Sequence, residues 1–322
     1  TPKPSSAASD VYKRQVLLLI MSAFSKLNPQ KKALIYMFLA MFFFTGMSIF
    51  IRKSSEQLHI MEVIFLRNLL ACIIIIPILG SSGLHNFKMR EPKLFFFRAI
   101  VGSIGMIAGF IAFTLIPLAQ ATAISFTTPI FVTIGAALVL GEVIKLRRIV
   151  AIIIGFLGML IIVQPGSGAL SVGVSLAFIS AVAHSGNGLL VKKMTAKESA
   201  NAIVAWMVIL IVPITIIPAI LVWEWPGPET WIYLWLLAIF GTLGHLCFTR
   251  AFALAEITSL QPLEFIKLPM TALVAWLIFS EVPGYWTWIG GIVIFSSTIY
   301  ITQREAKLNR STASSTNILG PK

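Results

Sequence analysis

The amino-acid sequence predicts an all-α polytopic membrane protein with ten transmembrane helices, arranged as two inverted repeats of five helices each. Three observations support this fold class: the composition, the length of the apolar segments and an internal repeat. The 322 residues are 57% hydrophobic and 11% charged, and the mean hydropathy is +0.91. Ordinary globular domains carry about 25% charged residues, so this chain has too little polar surface for a soluble or an intrinsically disordered protein.

Ten apolar runs follow Lys32, and helix breakers or charged residues separate them. A helix needs about 20 residues to cross the roughly 30 Å hydrocarbon core of a bilayer, and we interpret each run as one crossing. The predicted spans are approximately 33–51, 61–79, 94–116, 119–140, 149–164, 172–191, 202–223, 231–253, 257–279 and 286–302.

The second half of the chain repeats the first half. Residues 118–142, LAQATAISFTTPIFVTIGAALVLGE, correspond to residues 257–281, ITSLQPLEFIKLPMTALVAWLIFSE. Because each repeat contains an odd number of helices, the second repeat enters the membrane upside down. Inverted repeats of this kind are typical of alternating-access transporters. Two pairs of residues mark the correspondence, Pro129 with Pro269, and Glu142 with Glu281 after a one-residue gap.

Positively charged residues collect on one side of the predicted membrane. With a cytoplasmic N-terminus, 20 of the 25 lysine and arginine residues lie in cytoplasmic segments. Only Arg52 and Lys53 then lie outside, and Arg67, Arg98 and Lys267 fall within helices. Because cytoplasmic loops of membrane proteins carry an excess of lysine and arginine, we predict that both termini are cytoplasmic.

The net charge of +13 could also indicate binding to nucleic acid. The distribution of the charges assigns it instead to cytoplasmic loops, and we expect no nucleic-acid partner. The expected partners are the lipid bilayer and a small-molecule metabolite, and a homodimer is left open. Cys72 and Cys247 lie in apolar runs without metal-ligand spacing, so no metal site and no cofactor are predicted.

The predicted domain boundaries follow from the repeat. Residues 1–30 are predicted to be a non-native or disordered N-terminal segment, because TPKPSSAASDVYKRQ resembles translated adapter sequence and Met21 is a plausible start. The first repeat covers 31–165 with helices one to five, and the second covers 166–305 with helices six to ten. Residues 306–322 are predicted to be a disordered cytoplasmic tail.

Three segments resemble the EamA family of the drug/metabolite transporter superfamily. They are PLAQATAISFTTPIFVTIGAALVLGE, RAFALAEITSLQPLEFIKLPMTALVAWLIFSEVP and HIMEVIFLRNLLA. The resemblance covers about residues 31–305 and implies a bacterial inner-membrane permease of five plus five helices. It also implies a central cavity lined by helices one to four and six to nine, with helices five and ten at the periphery. The chain is loosely similar to S-adenosylmethionine uptake permeases and to flavin and amino-acid carriers, which does not decide a substrate.

Charged groups inside the membrane are candidates for the substrate pathway, because a central charge costs about 2.5–3.5 kcal/mol on insertion scales. Glu264 and Lys267 in the predicted ninth helix are the clearest, and Gln261 lies one turn before Glu264. Their spacing places them about 60° apart around the helix axis. In one hypothesis Glu264 binds an amine or exchanges protons, and Lys267 binds a carboxylate or phosphate. In the alternative, they form a structural ion pair.

Further charges lie in the second and third predicted helices. Arg67 is near mid-depth and needs a partner or an aqueous cavity, so it is a candidate for the pathway. Glu62 lies near the outer end, where it is either an entrance residue or a contact that orients the helix. Arg98 lies four residues into the third helix, where its side chain could extend to the cytoplasmic surface.

Uncharged candidates complete the predicted pathway. His184 and Asn187 are one turn apart beside small residues, which permit either a cavity wall or close helix packing. Pro129 and Pro269 are predicted hinges, because proline leaves a backbone carbonyl without its helical partner. The residues near these kinks that could contact a substrate are Phe126, Thr127, Thr128 and Phe265.

Enzyme signatures are missing from the sequence, which has no HExxH, GxSxG or P-loop motif. We therefore predict a permease that moves a small polar metabolite by alternating access, as secondary or facilitated transport, and not an enzyme. Import and export are both left open. The alternative is a membrane-embedded enzyme that acts on a lipid-linked substrate, with Glu264 or His184 as the base.

Overall fold

The structure is a computed structural model that describes residues 27–82, 89–128, 130–132, 134–135, 146–163, 171–255, 260, 263–264, 266–297 and 299–300. The regular secondary structure of these residues is helical, and they contain no strand. The helices are α1 (Pro29–Ser54), α2 (Ile60–Ser82), α3 (Pro92–Leu115), α4 (Leu118–Ser125), α5 (Leu146–Val163), α6 (Val172–Met194), α7 (Ala200–Ile220), α8 (Pro228–Leu254) and α9 (Lys267–Phe279). Residues 285–297 form a further helical segment.

Short polar side chains define where several helices begin. The Asn28 side chain accepts a hydrogen bond of 2.8 Å from the Lys31 backbone N–H, and Ser171 and Ser199 cap α6 and α7 in the same way. Such caps satisfy N–H groups that have no acceptor within the helix. The cap places residues 29–30 inside α1, although the sequence assigned them to the N-terminal segment.

Six of the described helices are long and apolar enough to cross a membrane. They are α1, the Ile60–Pro77 part of α2, α3, α6, α7 and α8. The fourth, fifth and ninth predicted spans are represented by the shorter apolar segments Leu118–Val132, Ile153–Ile162 and Lys267–Phe279. An all-helical, multi-pass membrane protein is therefore confirmed, whereas crossing by ten helices stays a prediction.

Large apolar side chains cover much of the outer surface. So many exposed apolar side chains would be unusual on a monomeric protein in water. They are expected where a protein surface contacts lipid tails. Clear examples on α3 and α9 are Phe96, Phe97, Ile100, Ile104, Leu273, Trp276 and Leu277.

Helices α3 and α6 pack against each other in antiparallel directions through small residues. A Cβ atom at Gly109 would lie 2.7 Å from Ser180 Oγ, and one at Gly105 would lie 3.1 Å from Ala183 Cβ. Later residues of α3 thus meet earlier residues of α6. Small residues allow this close approach of two helices.

Helices α8 and α1 repeat this arrangement. Gly244 lies ten residues before the end of α8, as Gly105 lies ten residues before the end of α3. A Cβ atom at Gly244 would lie 2.8 Å from the ring of Phe44 on α1. In each case the first helix of one repeat packs on the third helix of the other, so the helix packing has the symmetry of the sequence repeat.

Candidate functional site

A cavity of about 210 Å³ lies between the helices of the two repeats. It is lined by α1, α2, α3, α6, α7 and α8, by residues near 125–132, and by residues at and just before the start of α9. No described residue of α5 or of segment 285–297 lines it. Its polar lining residues are Arg67, Arg98, Ser125, Thr128, Ser180, His184, Asn187, His245, Glu264 and Lys267.

Glu264 and Lys267 both line the cavity and do not contact each other as an ion pair. In the described part of the chain, no nitrogen–oxygen contact within 4.0 Å joins them. The Lys267 ammonium instead lies 5.9 Å from the centre of the Phe113 ring, a cation–π distance. The two charges are therefore available to groups in the cavity, and the alternative of a direct structural ion pair is not what the structure shows.

Arg67 is 1% exposed and lies where α2 faces α8. Its Nη1 donates a hydrogen bond of 2.7 Å to Asn68 Oδ1, while Nε and Nη2 have no partner. A Cβ atom at Gly241 would lie 2.9 Å from Nε and 3.1 Å from Cζ, so a side chain at this position would have to displace the guanidinium. Arg67 thus borders the cavity, with an unsatisfied edge turned toward α8.

Arg98 does not extend to the cytoplasmic surface, contrary to the simplest sequence interpretation. It is 2% exposed, its Nη1 donates to the Ile203 carbonyl oxygen at 3.1 Å, and its Nη2 lies 3.5 Å from Met207 Sδ. Both partners belong to α7, about one hundred positions away in the chain, so no local pattern predicts them. Arg98 is a cavity residue that the sequence analysis left out of the pathway.

His184 is exposed to the cavity although it lies in the interior of the protein. Its Nδ1 is 2.8 Å from the Ser180 carbonyl oxygen. Because a carbonyl oxygen only accepts, Nδ1 carries the hydrogen in this contact, which leaves Nε2 free for another partner. The Ser180 hydroxyl donates to the Gly105 carbonyl oxygen at 2.8 Å and so joins α6 to α3. Asn187 also lines the cavity, and its Oδ1 has no partner.

The chain directly after α4 forms tight turns with hydrogen bonds between residues three positions apart, and not a regular α-helix. The N–H groups of Phe126 and Thr127 donate to carbonyl oxygens three residues back, and the Thr127 hydroxyl donates to the Ile124 carbonyl oxygen at 2.8 Å. The repeat equivalent of Phe126, Ile266, also donates three residues back. Phe126 and Thr128 line the cavity, whereas Thr127 is buried in the wall behind it.

Four further expectations have different outcomes. Pro269 is exposed and does not line the cavity, and its role as a hinge stays a prediction. Gln261, Phe265 and Pro129 lie outside the described residues. The functions predicted for all candidate residues stay predictions.

Several neighbouring residues carry no signal in the sequence. Asn68 is fully buried and orients Arg67, and Ser180 lines the cavity. Such residues are ordinary in apolar helices until the fold brings them together.

Glu62 is buried and accepts a hydrogen bond of 3.2 Å from the Glu224 backbone N–H, which makes it a contact that orients α2. Within the described residues, no group of three potential metal ligands is found.

Arg52 makes the first of two related contacts at the helix ends. Its Nε donates to the Phe113 carbonyl oxygen at 2.9 Å, and its Nη2 donates to the Ile116 carbonyl oxygen at 2.6 Å. Its Nη1 forms an ion pair with Glu281, whose other oxygen accepts from the Leu118 backbone N–H at 3.2 Å. The sequence placed Arg52 in an outside loop, but it lies in the last turn of α1.

Lys192 makes the equivalent contact in the second repeat. It lies three residues before the C-cap of α6, as Arg52 lies three residues before the C-cap of α1. Its ammonium donates to the Phe252 carbonyl oxygen at 2.7 Å and to the Ala255 carbonyl oxygen at 2.8 Å, at the end of α8. Because α3 and α6 are antiparallel, the two contacts lie at opposite ends of the helix assembly.

The loop between α6 and α7 carries a separate exposed contact. Lys197 donates to Glu91, which precedes α3, and the hydrogen bond lowers the pKa of the Glu91 carboxyl group. This pair links the two repeats at the end of the assembly where Lys192 lies.

An apolar outer surface around a cavity lined by charged residues defines a helical membrane protein of the kind that carries solutes. The chain belongs to the EamA-like transporter family, whose sequence pattern matches residues 31–164 and 171–303 as two EamA domains. The protein is therefore a membrane transporter, as the sequence predicted.

Curated relatives are named for different solutes. A riboflavin transporter of Vibrio cholerae serotype O1 is 30% identical over 244 residues, which is 75% of this chain and 82% of that protein. An S-adenosylmethionine uptake transporter of Rickettsia felis is 26% identical, over 79% of this chain and 86% of that protein. A pseudopaline exporter of Pseudomonas aeruginosa is 27% identical, over 86% of this chain and 98% of that protein.

A solved structure supports the same fold. It superposes with a TM-score of 0.63 at 15% sequence identity, and the match covers 87% of this chain and 99% of the other. The names of the relatives include both uptake and export, so the direction of transport stays open.

Proposed function

We propose that the protein is a permease that moves a small polar metabolite across the bacterial inner membrane by alternating access, without chemically altering it. The observation that carries the proposal is the central cavity, in which Glu264 and Lys267 face the same space without pairing. Charged side chains inside a membrane protein are energetically costly, and they usually pair with another group or face a cavity that serves as a substrate pathway. A polar solute would supply the partners that these residues lack.

The apolar residues that line the cavity indicate which class of solute it would bind. Six phenylalanine and four methionine residues line the cavity together with the polar groups. Aromatic rings and flexible thioethers offer contacts to flat or apolar groups. A metabolite with a polar head and a ring or apolar body fits this combination. Riboflavin and S-adenosylmethionine, from the names of the relatives, are the first solutes to test.

Alternating access is supported by the two equivalent helix packings, α3 on α6 and α8 on α1. The two packed pairs form two helix groups around the cavity, and rocking of the group α1 and α8 against the group α3 and α6 would open the cavity to each side in turn. The chain carries no nucleotide-binding motif, so the transport is secondary or facilitated.

The proposed topology has ten crossings. Helices α4, α5 and α9 and the segment 285–297 belong to the fourth, fifth, ninth and tenth of these crossings. Both termini are cytoplasmic, which is supported by the asymmetry of lysine and arginine in the sequence. The proposed partners are lipid and metabolite, without nucleic acid.

Reconstitution into sealed vesicles tests this function. Vesicles with and without the protein would be exposed to a bacterial metabolite extract supplemented with riboflavin and S-adenosylmethionine, and their contents analysed by mass spectrometry. We expect protein-dependent accumulation of an unaltered polar compound. Covalent change of a compound by the protein in detergent, with no accumulation in vesicles, would contradict the proposal and favour the membrane-embedded enzyme.

A further inference from the structure

Arg52 and Lys192 are related by the internal repeat, and so are the carbonyl groups that they bind. Phe113 and Ile116 are the third-last position and the C-cap of the third helix in the first repeat. Phe252 and Ala255 hold the same positions in the second repeat. In both repeats a cation at the end of the first helix binds carbonyl oxygens at the end of the third helix.

The carbonyl groups at a helix end lack intrahelical donors and carry the negative end of the helix dipole. A cation placed there makes charge-assisted hydrogen bonds, which are stronger than neutral ones. Each contact therefore ties the ends of two helices that border the cavity, Phe113 and Phe252 being lining residues themselves.

The two contacts are unequal in strength. Arg52 makes two carbonyl hydrogen bonds and an ion pair with Glu281, and Glu281 also accepts from the first N–H group of α4. Lys192 makes two carbonyl hydrogen bonds, and in the described part of the chain it forms no ion pair. Its repeat-related acid in the sequence, Glu142, lies outside the described residues.

We propose that Arg52 and Lys192 are the two gate residues of the transporter, and that Glu281 makes the Arg52 gate the stronger one. With the proposed topology the Arg52 gate faces outside and the Lys192 gate faces the cytoplasm. The stronger outer gate biases the solute-free transporter toward a conformation in which the cavity is open to the cytoplasm. This inference rests on the proposed alternating access, and it adds the residues that set the balance between the two conformations.

The balance between the two conformations can be measured without a known substrate. Cys72 and Cys247 would be replaced, and a single reporter introduced in the cavity as Ser125→Cys. An impermeant maleimide would then be applied to right-side-out vesicles and, separately, to inside-out vesicles. The ratio of the two labelling rates reports the side to which the cavity opens.

We expect the unmodified gates to give faster labelling from the cytoplasmic side. Loss of a charged hydrogen-bond partner shifts such an equilibrium by about ten- to a hundredfold, so Arg52→Met should move the ratio by that factor toward the outside. Glu281→Gln should move it in the same direction by a smaller factor, since the carbonyl hydrogen bonds of Arg52 remain. Lys192→Met should move it further toward the cytoplasm.

Neighbouring lysines provide matched controls. Lys53→Met removes a cation next to Arg52 whose hydrogen bonds go to Glu56 on the surface, and Lys193→Met removes the exposed neighbour of Lys192. Neither should change the ratio.

Two results would overturn the inference. One is faster labelling from outside with intact gates, and the other is an Arg52→Met ratio that equals that of Lys53→Met. If Arg52→Met does not accumulate, Glu281→Gln and Arg52→Lys give the same test. Transport by the vesicles is measured separately, so equal labelling in all variants with normal transport would reject the gates and leave the proposed function intact.

Discussion

Gly241 on α8 lies directly against the guanidinium edge of Arg67 on α2. The absence of a side chain at this position makes the approach possible, because a Cβ atom would fall 2.9 Å from Arg67 Nε. The unsatisfied Nε and Nη2 atoms of Arg67 are those nearest to this glycine. The position of α8 relative to α2 therefore decides whether this edge of the cation is covered.

Gly241→Ala should displace Arg67 and destabilise the protein. Overpacking in a close-packed interior costs about 1–3 kcal/mol, and the unfolding temperature in detergent should fall accordingly. Gly186→Ala is the matched control in a helix, because its Cβ would lie 3.7 Å from Val101, an ordinary contact. A thiol-reactive dye that reports exposure of Cys72 and Cys247 measures both variants. Equal unfolding temperatures for the two variants would contradict the fit described for Arg67.

Glu264 and Lys267 should be needed for transport rather than for folding. Because the two side chains do not pair in the structure, Glu264→Gln and Lys267→Met should each reduce uptake in vesicles to the background level. The double variant removes both charges at similar volume, which is often neutral or stabilising for a structural pair. We expect the double variant to accumulate normally, to elute as a single species and to stay inactive. Uptake near the level of the unmodified protein would remove both residues from the mechanism.

The topology can be tested with single cysteines at the ends of described helices. In a cysteine-free background, Pro228→Cys at the start of α8 should react with an impermeant reagent added to intact cells. Thr195→Cys at the end of α6 should react only after lysis. The opposite labelling pattern would require the inverted orientation, with both termini outside.

Much of the fold could be predicted from the sequence because membrane helices carry their signal locally. A run of apolar residues specifies a span, and the correspondence between residues 118–142 and 257–281 indicates two related halves. The count of ten crossings stays a prediction, since α4, α5 and α9 are short in the described residues.

The site was predicted only in part, because contacts between distant helices leave no local signal. Glu264, Lys267, Arg67 and His184 were recognised as costly polar groups in apolar helices, and all four line the cavity. Arg98 was interpreted as extending to the surface, since its carbonyl and thioether partners on α7 are invisible in the sequence.

The gate contacts were missed for the same reason. Arg52 is typical of a loop charge in the sequence, and its role depends on carbonyl groups of another helix and on Glu281, which is 229 positions away. A comparison of the two repeats position by position would have paired Arg52 with Lys192, but not with their acceptors.

Alternating access is tested most directly by fixing one gate closed. The protein for this experiment has three cysteines, from Arg52→Cys, Glu281→Cys and the cavity reporter Ser125→Cys. The reporter thiol is first blocked with a removable cap. A bifunctional maleimide then bridges the cysteines at positions 52 and 281. We predict that bridging stops uptake in vesicles and that, after uncapping, the reporter is still labelled from the cytoplasmic side but no longer from outside. Continued uptake at the unbridged rate, or labelling from both sides after bridging, would contradict transport through a cavity that opens to one side at a time.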